Sequence, residues 1–216
     1  MILHTEKSGD GETIIFLHTG LQTGRTELTE QDAYFREKYQ VILPDLRGHG
    51  KSVSEAYSNY FKESANDLLE TADHLGIASA HVAGCSLGAL VALVFAKIYP
   101  KRVKSLILSG IIPEKPLDWE AMEKEDAEQE AKILAVQANV DYFDKIHHGD
   151  WRKLLQSTRE ADWYPFDETG DLSELSMPVL FIVGEANQHE TVGAIKYPNS
   201  NENIHVAERF QLKRLY

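Results

Sequence analysis

The chain holds one cysteine among its 216 residues. An intrachain disulfide is therefore excluded, and the composition suits a reducing compartment, with the cytoplasm as the expected location. Long hydrophobic runs are also missing. No apolar stretch approaches the ~18 residues that span a bilayer, and the opening MILHTEKSGDGE has no signal-peptide pattern. A membrane partner is not expected. Basic residues are scarce: 22 Lys and Arg against 34 Asp and Glu leave a formal charge of −12. Such a chain repels phosphate backbones, which argues against nucleic acid as a partner. Dinucleotide fingerprints, P-loops and clustered metal ligands do not occur either, so no cofactor and no metal are expected.

Apolar residues make up 43% and charged residues 26%, the balance of a globular protein. The length suits one domain with a sizeable core. The acidity is uneven. Residues 113–171 carry 16 acids and 7 bases, whereas the other 157 residues carry 18 and 15. This break marks 113–171 as a separate, exposed and helical unit, and its acids as a solvated surface.

Outside that unit, short apolar runs recur between turn residues: TIIFLH (13–18), QVILPD (40–45), AHVAG (80–84), VKSLILSG (103–110) and PVLFIVG (178–184). Continuous rather than alternating hydrophobicity suggests strands buried on both faces, as in a parallel sheet. Helical spacing fills 26–38, 60–75 and 87–99, with Gly76 as a stop signal. Alternation of the two predicts an α/β fold, a mostly parallel sheet with helices on both faces. Helices inserted at 113–171 would sit above the C-terminal edge of the strands, where open α/β sheets bind ligands.

One strand runs into GCSLG (84–88) and then a buried helix, which is the context of a G-x-S-x-G nucleophile elbow. Gly84 and Gly88 flank Ser86 because the turn leaves no room for a Cβ there. The helix that follows aims its free N–H groups and positive dipole end at any oxyanion formed on Ser86. Cys85 reads as a small buried hydrophobe.

With the elbow in place, the chain resembles the α/β-hydrolase superfamily. FLHTG (16–20) is similar to that family's His-Gly oxyanion loop, and DLRGHGKS (45–52) to its post-strand segment. MPVLFIVGE (177–185) is similar to the strand leading to its catalytic acid. The resemblance implies a core of 1–112 and 172–216 with 113–171 as a helical lid. It implies an oxyanion hole from the N–H of Leu87 and that of Gly20, or alternatively Thr19. His18 would hold the loop, and Asp45, Arg47, Gly48 and His49 would be architecture, with Arg47 pairing a carboxylate.

A serine needs a base, and the base an orienting group, in the family order Ser, Asp or Glu, His. Asn187 stands where the acid is expected, with Glu190, Glu185 and Glu114 as substitutes. His205 is the candidate base, although it falls inside the presumed last strand, 201–207. His189 is another candidate, and an alternative register puts Glu202 at the base position. Nucleophile and oxyanion hole are complete in sequence, whereas base and acid are not. The chain also reads as short at both ends, with a single strand up to FLHTG and little after the last strand.

All three tryptophans, Trp119, Trp151 and Trp163, lie in the lid and would line a pocket for an acyl or aromatic group. They could instead anchor the lid. His147 and His148 read as a solvated pair rather than a metal site. The expected activity is that of a serine hydrolase, carboxylesterase-like, on a small-molecule acyl substrate. Thioesterase, lactonase, C–C hydrolase and perhydrolase chemistry share the same elbow. The alternative is a hydrolase-fold binding or interaction module without efficient turnover. An uncovered sheet edge would favour self-association.

Overall fold

A computed structural model describes residues 1–159, 163–184 and 187–208 of the chain. Its strands are β1 (Thr5–Ser8), β2 (Glu12–Leu17), β3 (Tyr39–Pro44), β4 (Ala80–Cys85), β5 (Val103–Ser109), β6 (Val179–Val183) and β7 (Ile204–Glu208). They form one sheet in the order β1-β3-β2-β4-β5-β6-β7. Only β1 is antiparallel; every other pairing is parallel. The apolar runs thus mark parallel strands as expected. β1 is a correction: two strands, not one, lead to the FLHTG segment. TEKS is short and polar, so hydrophobicity does not reveal it, and its pairing with β3 does.

Successive strand residues point to opposite faces. Ile15, Leu17, Val82, Leu106 and Leu108 enter one large core with α3 (Tyr60–His74) and α4 (Leu87–Ile98). Ile14, Phe16, Val41, Leu43 and Ala83 enter a smaller one that Leu28 and Phe35 cover. The helix expected over 26–38 is in fact α1 (Gly24–Glu27) and α2 (Thr29–Phe35). A capping box at Thr23, reciprocated by the Thr26 side chain, fixes the start of α1.

Helix α4 is buried at every position from Gly88 to Ala96. Its uniform hydrophobicity is what a helix enclosed on all sides requires. Beside it, α3 buries Phe61, Ala65, Leu68 and Ala72 along one stripe. Asp67 on that stripe takes a two-pronged ion pair from Arg47 at 2.7 and 2.9 Å. The pair anchors the loop after β3 onto α3, as the sequence suggests for Arg47.

Four helices occupy the described chain between β5 and β6: α5 (Trp119–Leu134), α6 (Gln137–Ile146), α7 (Trp151–Ser157) and α8 (Phe166–Thr169). The acidic α5 buries none of its residues. Helix α9 (Gln188–Ser200) then connects β6 to β7. No described helix is long and apolar enough to cross a membrane.

Candidate active site

Ser86 lies at the junction of β4 and α4 with φ 52° and ψ −120°. An L-residue held there stores about 1–3 kcal/mol of strain, which the surroundings must impose. They do. Ser86 N–H donates to Ser109 O at 2.8 Å, and its carbonyl accepts from Ala89 and Leu90. A Cβ on Gly84 would meet Ala89 N at 2.6 Å, and one on Gly88 would meet the Leu17 carbonyl carbon at 2.6 Å. With backbone and glycines locked, the hydroxyl is turned outward. Ser86 is exposed, and it borders a cavity of about 210 Å³ walled by Leu90, Leu154, Leu155, Trp163 and Tyr164. Its Oγ makes no hydrogen bond among the described residues.

Gly20 and Leu87 line the same cavity, and the backbone N–H of each is of interest. Neither donates to a protein acceptor among the described residues. Leu87 is the first residue of α4, where an N–H has no partner within the helix. Thr19 is different. Its N–H and hydroxyl both donate to the Glu27 carboxylate, at 2.7 and 2.8 Å. Of the two loop amides considered from sequence, that of Thr19 is already spent, and that of Gly20 has no acceptor among the described residues.

Three buried histidines hold this loop. His18 Nε2 accepts Leu46 N–H at 2.9 Å, and its Nδ1 donates to Thr19 O at 2.7 Å. His49 Nε2 accepts Leu21 N–H at 3.1 Å, while Nδ1 faces Arg47 O at 3.1 Å. His147 Nδ1 accepts Gly50 N–H at 2.8 Å, and Nε2 donates to Leu21 O at 3.2 Å. The acceptor nitrogens fix the tautomers, so all three rings are neutral. Desolvation pushes the proton affinity of each below the ordinary histidine range, furthest for His49. His147 is therefore not half of a solvated pair. It is buried and His148 is exposed, because neighbouring side chains at the end of α6 leave in different directions.

The other side of the cleft is built differently. Asn187 opens α9, and its amide donates to Glu190 at 3.0 Å. Desolvation raises the Glu190 carboxyl above its usual range, and the Asn187 bond partly offsets this. The Cys85 thiol is likewise raised, by desolvation and then by the charges of Glu27 and Glu190. Cys85 itself is exposed, contrary to the buried hydrophobe expected, because the strand ends there and the turn carries it out of the core.

His205 is a correction. It is an exposed residue in the body of β7, opposite Leu180. The register continues through Ile107 to Ala83, which sets His205 three strand spacings, about 14 Å, from β4. The geometry does not bring it to Ser86. His189 faces Asp118 at 3.7 Å, Glu114 pairs with Lys196 at 3.2 Å, and Glu202 is exposed before β7. Glu185 lies outside the described residues. The histidine that does border the Ser86 cavity is His49, and its lone pair already holds Leu21 N–H.

The tryptophans divide. Trp163 borders the Ser86 cavity. Trp119 borders an adjoining one of about 560 Å³ and packs on Tyr164 and Phe166. Trp151 is 1% exposed, packs on Phe143 and donates to Asp144. It is an anchor rather than a pocket wall, since its ring is consumed in joining α6 to α7.

A strained, exposed serine at a strand-to-helix turn thus borders a cavity that Gly20 and Leu87 also line. Residues 12–154 match the family model for the alpha/beta hydrolase fold, and the chain belongs to that family. Among curated relatives, proline iminopeptidase of Arabidopsis thaliana is 35% identical over 123 residues, 54% of this chain and 32% of that protein. The 3-oxoadipate enol-lactonase 2 of Acinetobacter baylyi is 27% identical over 204 residues, 85% of this chain and 74% of that protein. The chain spans about a third of the Arabidopsis relative's length (32%) and about three quarters of the lactonase's (74%). The solved structure of NosK from Streptomyces actuosus superimposes with a TM-score of 0.78 at 23% identity, covering 92% of this chain and 88% of that one. At such identity the superposition speaks for the fold alone.

Proposed function

We propose that the chain is a serine hydrolase acting on a small ester or related acyl compound, with 113–171 as a lid over the site. Ser86 Oγ attacks the acyl carbon. The carbonyl π electrons move onto oxygen, and the N–H groups of Gly20 and Leu87 receive that oxyanion. The Ser86 proton passes to water or added imidazole and is returned to the leaving group as the tetrahedral intermediate collapses; water then attacks the acyl-enzyme, releasing the acid and restoring the serine O–H. Leu90, Leu154, Leu155 and Trp163 suit an apolar acyl chain. The observation that carries this reading is the exposed, strained Ser86 bordering a cavity with two unspent amides. The relatives' names, an iminopeptidase and an enol-lactonase, both denote cleavage at an acyl carbon.

The serine proton is the slow point. No described histidine hydrogen-bonds Ser86 Oγ, and loss of a triad base lowers turnover by several powers of ten. Labelling with a fluorophosphonate and hydrolysis of p-nitrophenyl butyrate test the reading. We expect covalent labelling of Ser86, abolished in Ser86→Ala, and turnover that added imidazole accelerates. That same unpartnered Oγ favours a second reading, a hydrolase-fold binding module. Absence of labelling from mildly acidic to mildly alkaline pH, with imidazole present, decides for it.

A further inference from the structure

We propose that His147 is a positioning residue for the oxyanion loop, through which the helical segment between β5 and β6 sets the direction of the Gly20 amide. The proposal rests on the reading above, that the Gly20 and Leu87 amides receive an acyl oxyanion.

Leu21 follows Gly20 directly and holds φ 57°, a left-handed conformation that a branched side chain rarely adopts. Both polar groups of Leu21 are gripped by imidazoles. Its N–H donates to His49 Nε2 at 3.1 Å, and its carbonyl accepts His147 Nε2–H at 3.2 Å. The two grips differ in origin. His49 belongs to the loop after β3, whereas His147 follows α6, 126 residues away from Leu21. The Leu21 carbonyl and the Gly20 N–H lie in peptide planes on either side of the Gly20–Leu21 plane, so releasing the carbonyl frees Leu21 to rotate and, through that intervening plane, lets the Gly20 amide turn from its present direction.

Gly50 closes the arrangement. Its N–H donates to His147 Nδ1 at 2.8 Å, and its carbonyl accepts the His148 N–H at 2.8 Å. His147 therefore bridges Gly50 and Leu21 with opposite ring nitrogens, one accepting and one donating. Its ring is further confined between Phe143, stacked at 6.3 Å, and His49, edge-on at 5.7 Å. A ring fixed on every side transmits the docking of the helical segment to the loop. No atom of His147 borders the Ser86 cavity in this arrangement; it acts through Leu21.

The test compares His147→Phe, which retains the aromatic packing and loses both bonds, with His147→Gln, which retains one acceptor and one donor. Readouts are kcat and KM on p-nitrophenyl butyrate with imidazole, and hydrogen exchange at the Leu21 amide. We expect His147→Phe to lower kcat about tenfold, less than outright loss of an oxyanion donor, with KM within about twofold. Leu21 exchange should speed up, and His147→Gln should recover most of both effects. If His147→Phe does not fold, the smaller His147→Met reads the same two bonds. An unchanged kcat, a change confined to KM, or unchanged Leu21 exchange overturns the proposal. If the unmodified chain shows no Ser86-dependent turnover, the functional reading fails by itself, and Leu21 exchange still decides whether His147 holds the loop.

Discussion

On the β2 side of Ser86, each loop is tied by named bonds: Thr19 to Glu27, Leu46 to His18, Leu21 to His49 and His147, Arg47 to Asp67. On the β6 side, the Asn187 side chain reaches, among the described residues, no farther than Glu190 three residues on, and His205 is paired into a strand away from the cleft. The comparison separates two requirements of acyl chemistry. Holding an oxyanion needs amides that are rigid before the reaction begins, and under the proposed function that rigidity would come from the bonds of the β2 side. Moving a proton needs an imidazole whose lone pair is free, and the β2 histidines have spent theirs on backbone N–H groups.

The most severe way to break the comparison is to disturb the hinge between the two sides. Gly88→Ala places a methyl group against the carbonyl carbon of Leu17 at 2.6 Å and the His18 carbonyl oxygen at 2.7 Å. Both are backbone atoms of β2 and the loop that follows it, so the conflict is relieved only by separating α4 from the sheet. Overpacking of this kind costs about 3 kcal/mol. The expected outcome is a lower urea midpoint together with loss of Ser86 labelling. Intact labelling in a variant of unchanged stability would mean that the turn is not held by this contact.

Acid should act next in size, and on the β2 side. His18, His49 and His147 are neutral in the fold, with proton affinities lowered by burial. In the unfolded chain each regains a value near 6.5, about the ordinary histidine pKa. Between that value and the lower native ones, the unfolded state binds more protons, so stability declines as pH falls. Glu190 works in the opposite sense. Its raised carboxyl favours the fold at low pH, and that contribution is lost as pH rises through its native value. Three histidines against one carboxyl predict a net loss. Urea midpoints at about pH 7.5 and about pH 5.5 check this, the lower pH giving the lower midpoint. Equal midpoints would show that the rings are not held in their neutral form.

How much of this the sequence revealed follows the range of the forces involved. The elbow was legible because its causes are local: Gly84, Ser86 and Gly88 meet within one turn, between two apolar runs. The strands β2 to β6 were legible because burial on both faces demands continuous hydrophobicity. The bonds that occupy Thr19 were not, since they depend on Glu27 reaching back from α1. His147 was misread because its partner, Gly50, lies 97 residues away. A weaker signal existed: two adjacent histidines cannot share one direction, so an exposed His148 leaves room for a buried His147. Trp151 escaped for a similar reason, since only packing on Phe143 distinguishes an anchor from a pocket wall.

The smallest expected effect is the sharpest discriminator on the β6 side. His205 is exposed, its strand pairs through backbone groups, and its register keeps it about 14 Å from β4. Replacement by alanine removes a ring that makes no described hydrogen bond, so stability should shift by no more than about 0.5 kcal/mol. Fluorophosphonate labelling of Ser86 in His205→Ala should proceed within about twofold of the unmodified rate, because side-chain effects at that separation are largely independent. A loss of tenfold or more would have one structural meaning. The end of the sheet at β7 would have to rearrange so that His205 reaches Ser86 during the reaction, and the contrast between the bonded β2 side and the less bonded β6 side would belong only to the resting arrangement.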